Sequence, residues 1–183
     1  VVFADLDPQA NLSTMCVTEE RLEAIWNLVP RPTIYGAIDR LRRGLGDVDR
    51  IAHESVTGNI ALVVGDLQLS ELEDELSQQW PKCLDRDERA FRVTTALYRV
   101  VNDVGQRFGA DIAILDVGPN FGAINRAALI ASDSVIVPVA PDLFSMQGLQ
   151  NVGPRLKAWR GGWADRVGRA PTVLDFQLPQ GAM

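Results

Sequence analysis

Histidine and cysteine are scarce in this chain of 183 residues, which holds one histidine, His53, and two cysteines, Cys16 and Cys83. Neither cysteine has a ligand-like neighbour, so no disulfide framework or zinc site is expected, and both read as reduced thiols. His53 lacks a paired Ser or Cys signature and reads as non-catalytic. Positive charge is also short: 18 Lys and Arg face 24 Asp and Glu, leaving a formal net charge of −6. A domain built to coat nucleic acid is ordinarily basic, so the balance argues against that class while leaving room for a local basic patch. No apolar run reaches the ~20 residues of a membrane span, and no secretory signal opens the chain. A cytoplasmic protein is expected. The chain has no initiator methionine and opens at Val1 inside an apolar run, so an upstream segment is expected to precede it.

What is present is enough for one domain with a sizeable core, and the apolar share of 46% is ordinary. Val1 to Ala4 is an apolar run ending in Asp5, which predicts a buried strand. After the Asp7-Pro8-Gln9 loop, Ser13 and Thr14 are candidate caps for a helix through Leu22, Ile25 and Trp26, broken by Pro30-Arg31-Pro32. Thr33 caps a short helix through Ile38 and Leu41, ended by Gly44 and Gly46. A second strand is predicted at Asn59 to Gly65, then an acidic helix from Ser70 to Gln79 stopped by Pro81. Phe91, Leu97, Val100, Val101, Val104 and Phe108 recur at helical spacing, and Gly109 ends that helix. Strands are expected at Asp111 to Val117, Ser134 to Val139 and Thr172 to Phe176, with helices at Ala123 to Ala131 and Ser145 to Trp159. Alternating helices and wholly apolar strands predict an α/β fold, a parallel sheet with helices on both faces. No repeat or domain linker interrupts residues 1–183.

In open parallel sheets ligands sit at the carboxyl ends of the strands. Two strands end there in acid, one at Asp5 with Asp7 just beyond, the other at Asp116. An apolar strand ending in Asp is a pattern in which a carboxylate helps hold Mg²⁺ beside a nucleotide. A solvated strand-end Asp leading into a turn is the plainer reading for Asp116 alone; the pair of acidic ends is what favours a site.

Val2-Phe3-Ala4-Asp5-Leu6-Asp7-Pro8-Gln9-Ala10-Asn11-Leu12 resembles the D-x-D-P-Q-x-N signature of the ParA/Soj/MinD family of deviant-Walker partition ATPases. Further segments resemble that family in the same order: Asn59 to Leu69, Asp111 to Asp116, Asn125 to Val139, and Phe144-Ser145-Met146-Gln147-Gly148-Leu149. The resemblance implies a P-loop NTPase fold whose first strand, P-loop and first helix lie outside this chain, with truncation at the C-terminus as well. It implies ATP and Mg²⁺ as cofactors. Asp7 would position the attacking water, Asp5 and Asp116 would support Mg²⁺, Gly118 and Pro119 would belong to a loop sensing the γ-phosphate, and Phe144 to Leu149 would lie near a homodimer interface.

By the same resemblance, the intact protein would be an ATPase for chromosome or plasmid partitioning. It would dimerise on ATP, associate with non-specific DNA and be stimulated by a centromere-binding, ParB-like partner. The chain departs from the family in holding no G-x-x-x-x-G-K-[ST] loop, in reading Asp116-Val117-Gly118-Pro119-Asn120 where relatives read D-x-P-P-S, and in stopping at Met183. As given it is expected to be inactive. Two alternatives stand beside this reading: a non-catalytic interaction module that kept the fold, and a MinD-like positioning ATPase with another cargo. Arg155, Lys157, Arg160, Arg166 and Arg169, lying among Trp159 and Trp163, are either a DNA-facing patch or a solvated helix face over packed tryptophans.

Overall fold

The computed structural model describes residues 1–141, 143–172 and 174–181, with the backbone alone described for residues 143–147. Strand β1 (Val2–Asp5) lies between two parallel neighbours. One is β3 (Ile60–Val63), in register from Val2 with Ala61 to Ala4 with Val63. The other is β4 (Ala113–Asp116), in register from Val2 with Ala113 to Asp5 with Asp116. A further strand that the apolar pattern does not predict, β2 (Glu54–Thr57), runs antiparallel to β3 and makes the order β2-β3-β1-β4. The sheet is therefore mostly parallel.

Side-chain alternation along β1 feeds two layers. Val2, Ala4 and Leu6, with Ala61 and Val63, meet α3 (Ile34–Arg42), α4 (Glu71–Lys82), α6 (Ala96–Phe108) and α7 (Ala123–Ile130) through Ile38, Leu72, Leu76, Leu97, Val100 and Ile124. Phe3, Leu62 and Val64 turn the other way, against Leu12 of α1 (Asn11–Cys16) and Leu22 and Ile25 of α2 (Glu19–Trp26). Helices thus cover both faces, as expected. A satellite core joins Trp163 of α8 (Leu143–Val167) to Phe91 of α5 (Glu88–Thr94), Cys83 and Ile130.

Several local expectations are corrected. Ser13 sits inside α1, and the next helix is capped by Thr18, whose hydroxyl accepts from Arg21 N–H. The long apolar stripe from Phe91 to Phe108 belongs to two helices that break at Thr95. Pro81 does not stop its helix, which runs on to Lys82. The helix expected at Ser145 to Trp159 spans Leu143–Val167. Among the described residues there is no strand at Ser134 to Val139 or at Thr172 to Phe176, where Val173 lies outside the description. The first of these segments is apolar yet open: Ile136 is 90% exposed and Val139 56%. β4 is the last strand of the described sheet, and Ile114 on it is 43% exposed. A parallel strand is ordinarily covered on both faces, so β4 presents an edge with the composition of an interior strand.

Candidate functional site

The carboxyl ends of β1, β3 and β4 bring Asp5, Asp7, Gly65, Asp116 and the loop 117–122 to one face. Asp5 has no exposed surface. Its Oδ2 accepts from Ser13 N–H and Ser13 Oγ–H, both at 2.7 Å, and its Oδ1 accepts from Asp7 N–H at 3.3 Å. Gly65 N–H donates to Ser13 Oγ at 2.9 Å, so one hydroxyl ties the end of β1 to the end of β3. The two strand ends approach so closely that a Cβ on Gly65 would stand 2.8 Å from Asp5 Cγ, which leaves room only for glycine. Burial pushes the Asp5 carboxyl above its usual range, the Ser13 bonds pull it back, and the Asp116 charge adds to the rise. Asp5 faces inward and organises the turn that carries Asp7.

Asp7 is half-buried at the rim of that turn, where its Oδ1 accepts from Gln9 N–H at 3.0 Å. Its carbonyl accepts from Ala10 N–H at 2.8 Å, and Ala10 takes left-handed backbone angles to lead into α1. Asp116 is also half-buried, and its pKa is raised by burial first and by the Asp7 charge second. The two carboxylates therefore share one field across the β1–β4 register. Gly118 comes down on the same point: a Cβ there would be 3.3 Å from Asp7 Oδ1. Pro119 is exposed beside it. A cavity of ≈ 340 Å³ opens next to Asp116, lined by Phe3, Asn11, Leu12, Met15, Ile114 and Leu115. A larger cleft of ≈ 760 Å³ around Pro30, Tyr35 and Arg40 contains none of the three strand-end acids.

Among the described residues no group of three or more His, Cys, Asp or Glu side chains is arranged to hold a metal ion. Mg²⁺ does not need such a cage. It keeps several waters and takes one or two carboxylates together with substrate phosphates. The Asp7 charge is felt at Asp116, whose pKa it raises after burial does.

The loop after Asp116 is fastened by residues that sequence patterning does not single out. Asn125 Nδ2 donates to Gly118 O and Asn120 O, both at 2.6 Å, and Asn120 Oδ1 accepts from Gly122 N–H at 2.8 Å. Glu73, from α4, accepts from the backbone N–H groups of Ala123 and, at 2.9 Å, Ile124. Only tertiary structure brings Glu73 to them, since 50 residues separate it from Ala123.

The proposed dimer-facing segment Phe144 to Leu149 falls on side chains that, through Gln147, lie outside the described residues. The basic stretch divides. Arg166 is 7% exposed, lies 3.9 Å over the Trp80 ring and donates to Trp80 O and Gly162 O, while Trp163 is 1% exposed. Arg155, Lys157, Arg160 and Arg169 remain exposed.

Residues 1–161 match the family model AAA_31, described as an AAA domain. The virulence plasmid ParA family protein pGP5-D of Chlamydia psittaci is 24% identical over 152 residues, covering 83% of this chain and 49% of that protein. Protein DIP2308 from Corynebacterium diphtheriae superposes with a TM-score of 0.81 at 27% identity, over 92% of this chain and 59% of that one. A plasmid partition protein from Borrelia burgdorferi, solved bound to AMPPNP, has a TM-score of 0.60 at 18% identity, over 86% of this chain and 56% of that one, and so shares the fold. The chain spans about a third to a half of the length of the curated relatives it matches. Among the described residues, no helix is long and apolar enough to cross a membrane.

Proposed function

Because this chain belongs to the AAA domain family (AAA_31) and is ParA-like, we propose that it is the strand-end half of an ATPase site in a chromosome or plasmid partition protein. One observation carries the reading: Asp5 and Asp116 pair in register at the carboxyl ends of adjacent parallel strands, and Asp7, two residues beyond Asp5, lies against Gly118 of the loop that follows Asp116. Phosphoryl transfer asks little covalent chemistry of the protein and much positioning and charge placement, and these residues are placed for that work.

Asp7 orients the attacking water and accepts its hydrogen bond. Its Oδ1 is fixed by Gln9 N–H, and among the described residues its Oδ2 accepts no hydrogen bond. Asp116 would help hold Mg²⁺, which would offset charge on the phosphates. Asp5 supports that position from behind, through the turn it fixes rather than by direct contact. Gly118 and Pro119 stand where a terminal phosphate would be felt. ATP-dependent homodimerisation, association with non-specific DNA and stimulation by a ParB-like partner belong to the same reading, in a cytoplasmic protein. The AMPPNP bound to the Borrelia partition protein of the same fold supports ATP as the ligand.

The test is made in the full-length protein. Asp7→Ala is expected to abolish phosphate release while calorimetric titration shows ATP still bound. Near-normal turnover in the variant would remove Asp7 from the reaction.

A further inference from the structure

We propose that Glu73 is a positioning residue for the loop 117–122: from α4 it anchors the first turn of α7 and thereby sets how close Gly118 stands to Asp7. The catalytic consequence rests on the ATPase reading of Asp7; the mechanical link does not.

Helix α7 begins at Ala123, and Gly122 at its N-cap position has no side chain to cap it. Helix N-termini usually cap themselves with Ser, Thr, Asp or Asn. Here the cap is a carboxylate from another helix, spread over the first two N–H groups of α7. An ionised acceptor at a helix N-terminus gains from charge-assisted hydrogen bonds and from the helix dipole together. The fit leaves no slack, because a Cβ on Gly122 would sit 2.5 Å from Glu73 Oε1 and 2.8 Å from Asn120 Oδ1.

From α7 the link runs to the site in two steps. Asn125, on the first turns of α7, holds Gly118 O and Asn120 O. Gly118 then lies against Asp7 Oδ1, at 3.3 Å for a notional Cβ. The side chains of the loop are open: Val117 is 38% exposed, and Phe121, which meets the ring of Trp159 edge-on and the guanidinium of Arg155, is 47% exposed. A shift of α4 along its axis is therefore passed to the roof over Asp7, which gives a partner that binds α4 a route to the turnover rate.

The experiment uses the full-length protein with Glu73→Gln and Asn125→Ala, singly and together. Glu73→Gln is expected to lower kcat about tenfold with KM for ATP changed less than about twofold, since the substitution weakens a charge-assisted acceptor that positions the loop and removes nothing that touches the nucleotide. Amide hydrogen exchange without nucleotide is expected to accelerate across Gly118 to Gly122 as well as at Ala123 and Ile124. The double variant is expected to be no slower than the slower single one, because both cut the same link. Faster exchange confined to Ala123 and Ile124 would reduce Glu73 to a helix cap and overturn the proposal, as would an unchanged kcat with a freed loop. If the wild-type protein hydrolyses no ATP, the ATPase reading falls and the exchange measurement alone decides the link.

Discussion

Asp5 accepts two hydrogen bonds from Ser13, one from its backbone and one from its hydroxyl, each at 2.7 Å. That hydroxyl also accepts from Gly65 N–H, so the Ser13 oxygen closes the junction of β1 and β3. Ser13→Ala leaves the buried Gly65 N–H without a partner and Asp5 with one donor fewer. An orphaned buried donor costs about 1–3 kcal/mol. Urea denaturation is expected to show a loss in that range with an unchanged m-value. A loss within measurement scatter would mean that water replaces the hydroxyl.

Asp116 gives a pH signature. Its folded-state pKa lies above the usual carboxylate range, through burial and the Asp7 charge. The folded state then binds the Asp116 proton more tightly than the unfolded chain does. Stability from this group is fully present below the unfolded pKa and is lost as pH rises through the folded one. Asp116→Asn removes the ionisation. It is expected to be more stable than the wild type at pH 7, with the difference fading as pH falls below the ordinary Asp value. Thermal melts across pH 3–7 measure it, and a variant less stable than wild type at neutral pH would show that Asp116 makes compensating contacts.

Much of this was legible in the sequence, and the failures have physical causes. Apolar runs ending in Asp5 and Asp116 located two strand ends, because both strands have the uninterrupted apolar composition of parallel strands, although β4 lies exposed in the described sheet. Thr33 as a cap and Gly109 as a terminator read correctly, since both act locally: Thr33 Oγ1 accepts from Gly36 N–H, and Gly109 takes φ 71°. Strand β2 was signalled by Gly58-Asn59, a two-residue hairpin dipeptide, but its polar residues hid it. Ser13 read as a cap because its partner Asp5 is eight residues away and across a turn. The break at Thr95 is invisible to periodicity, because the apolar spacing runs on through it although Phe91 enters the satellite core and Leu97 to Val104 the main one. Glu73 could not be found at all: its link to α7 spans the sheet-covering layer and leaves no local pattern.

The outer edge of β4 predicts behaviour in solution. Its hydrogen bonds toward β1 use Ile112 O and Asp116 O, so by strand alternation Ala113 and Leu115 direct their backbone groups outward. With Ile114 exposed on the strand, and Ile136 exposed further along the chain, this edge invites pairing between chains. Ile114→Lys with Ile136→Lys is expected to raise the concentration at which residues 1–183 aggregate, with stability changed by no more than about 0.5 kcal/mol. Light scattering against concentration measures it. Unchanged aggregation would place the sticky surface elsewhere.

The split basic stretch makes a DNA prediction that separates two roles on one helix. If exposed side chains of α8 touch phosphates, Lys157→Glu with Arg160→Glu should weaken binding of the full-length ATP-loaded protein to all sequences alike. The salt slope should also shrink by about 1 for each phosphate ion pair removed. Arg166→Glu should act differently. Arg166 is 7% exposed and stacked on Trp80, so its replacement buries a carboxylate against an indole and is expected to lower the thermal midpoint before any DNA is added. Unchanged DNA affinity in the double variant would make the exposed residues an ordinary solvated face.

Residues 1–183 taken alone are expected not to bind Mg-ATP. The strand-end face carries Asp5, Asp7 and Asp116, and the chain's two lysines, Lys82 and Lys157, lie at the end of α4 and on α8. Unit charges 4 Å apart interact by about 4 kcal/mol at an effective dielectric of ~20. A polyphosphate approaching these carboxylates is thus opposed unless cations and backbone N–H groups offset them, and the chain holds no glycine-rich lysine loop to do so. Mg²⁺ at Asp116 alone neutralises too little. Calorimetric titration of the isolated chain with Mg-ATP should therefore show no binding heat, while the full-length protein binds. Tight binding by the isolated chain would move the nucleotide away from these strand ends, and with it the roles assigned to Asp5, Asp7, Asp116 and Gly118.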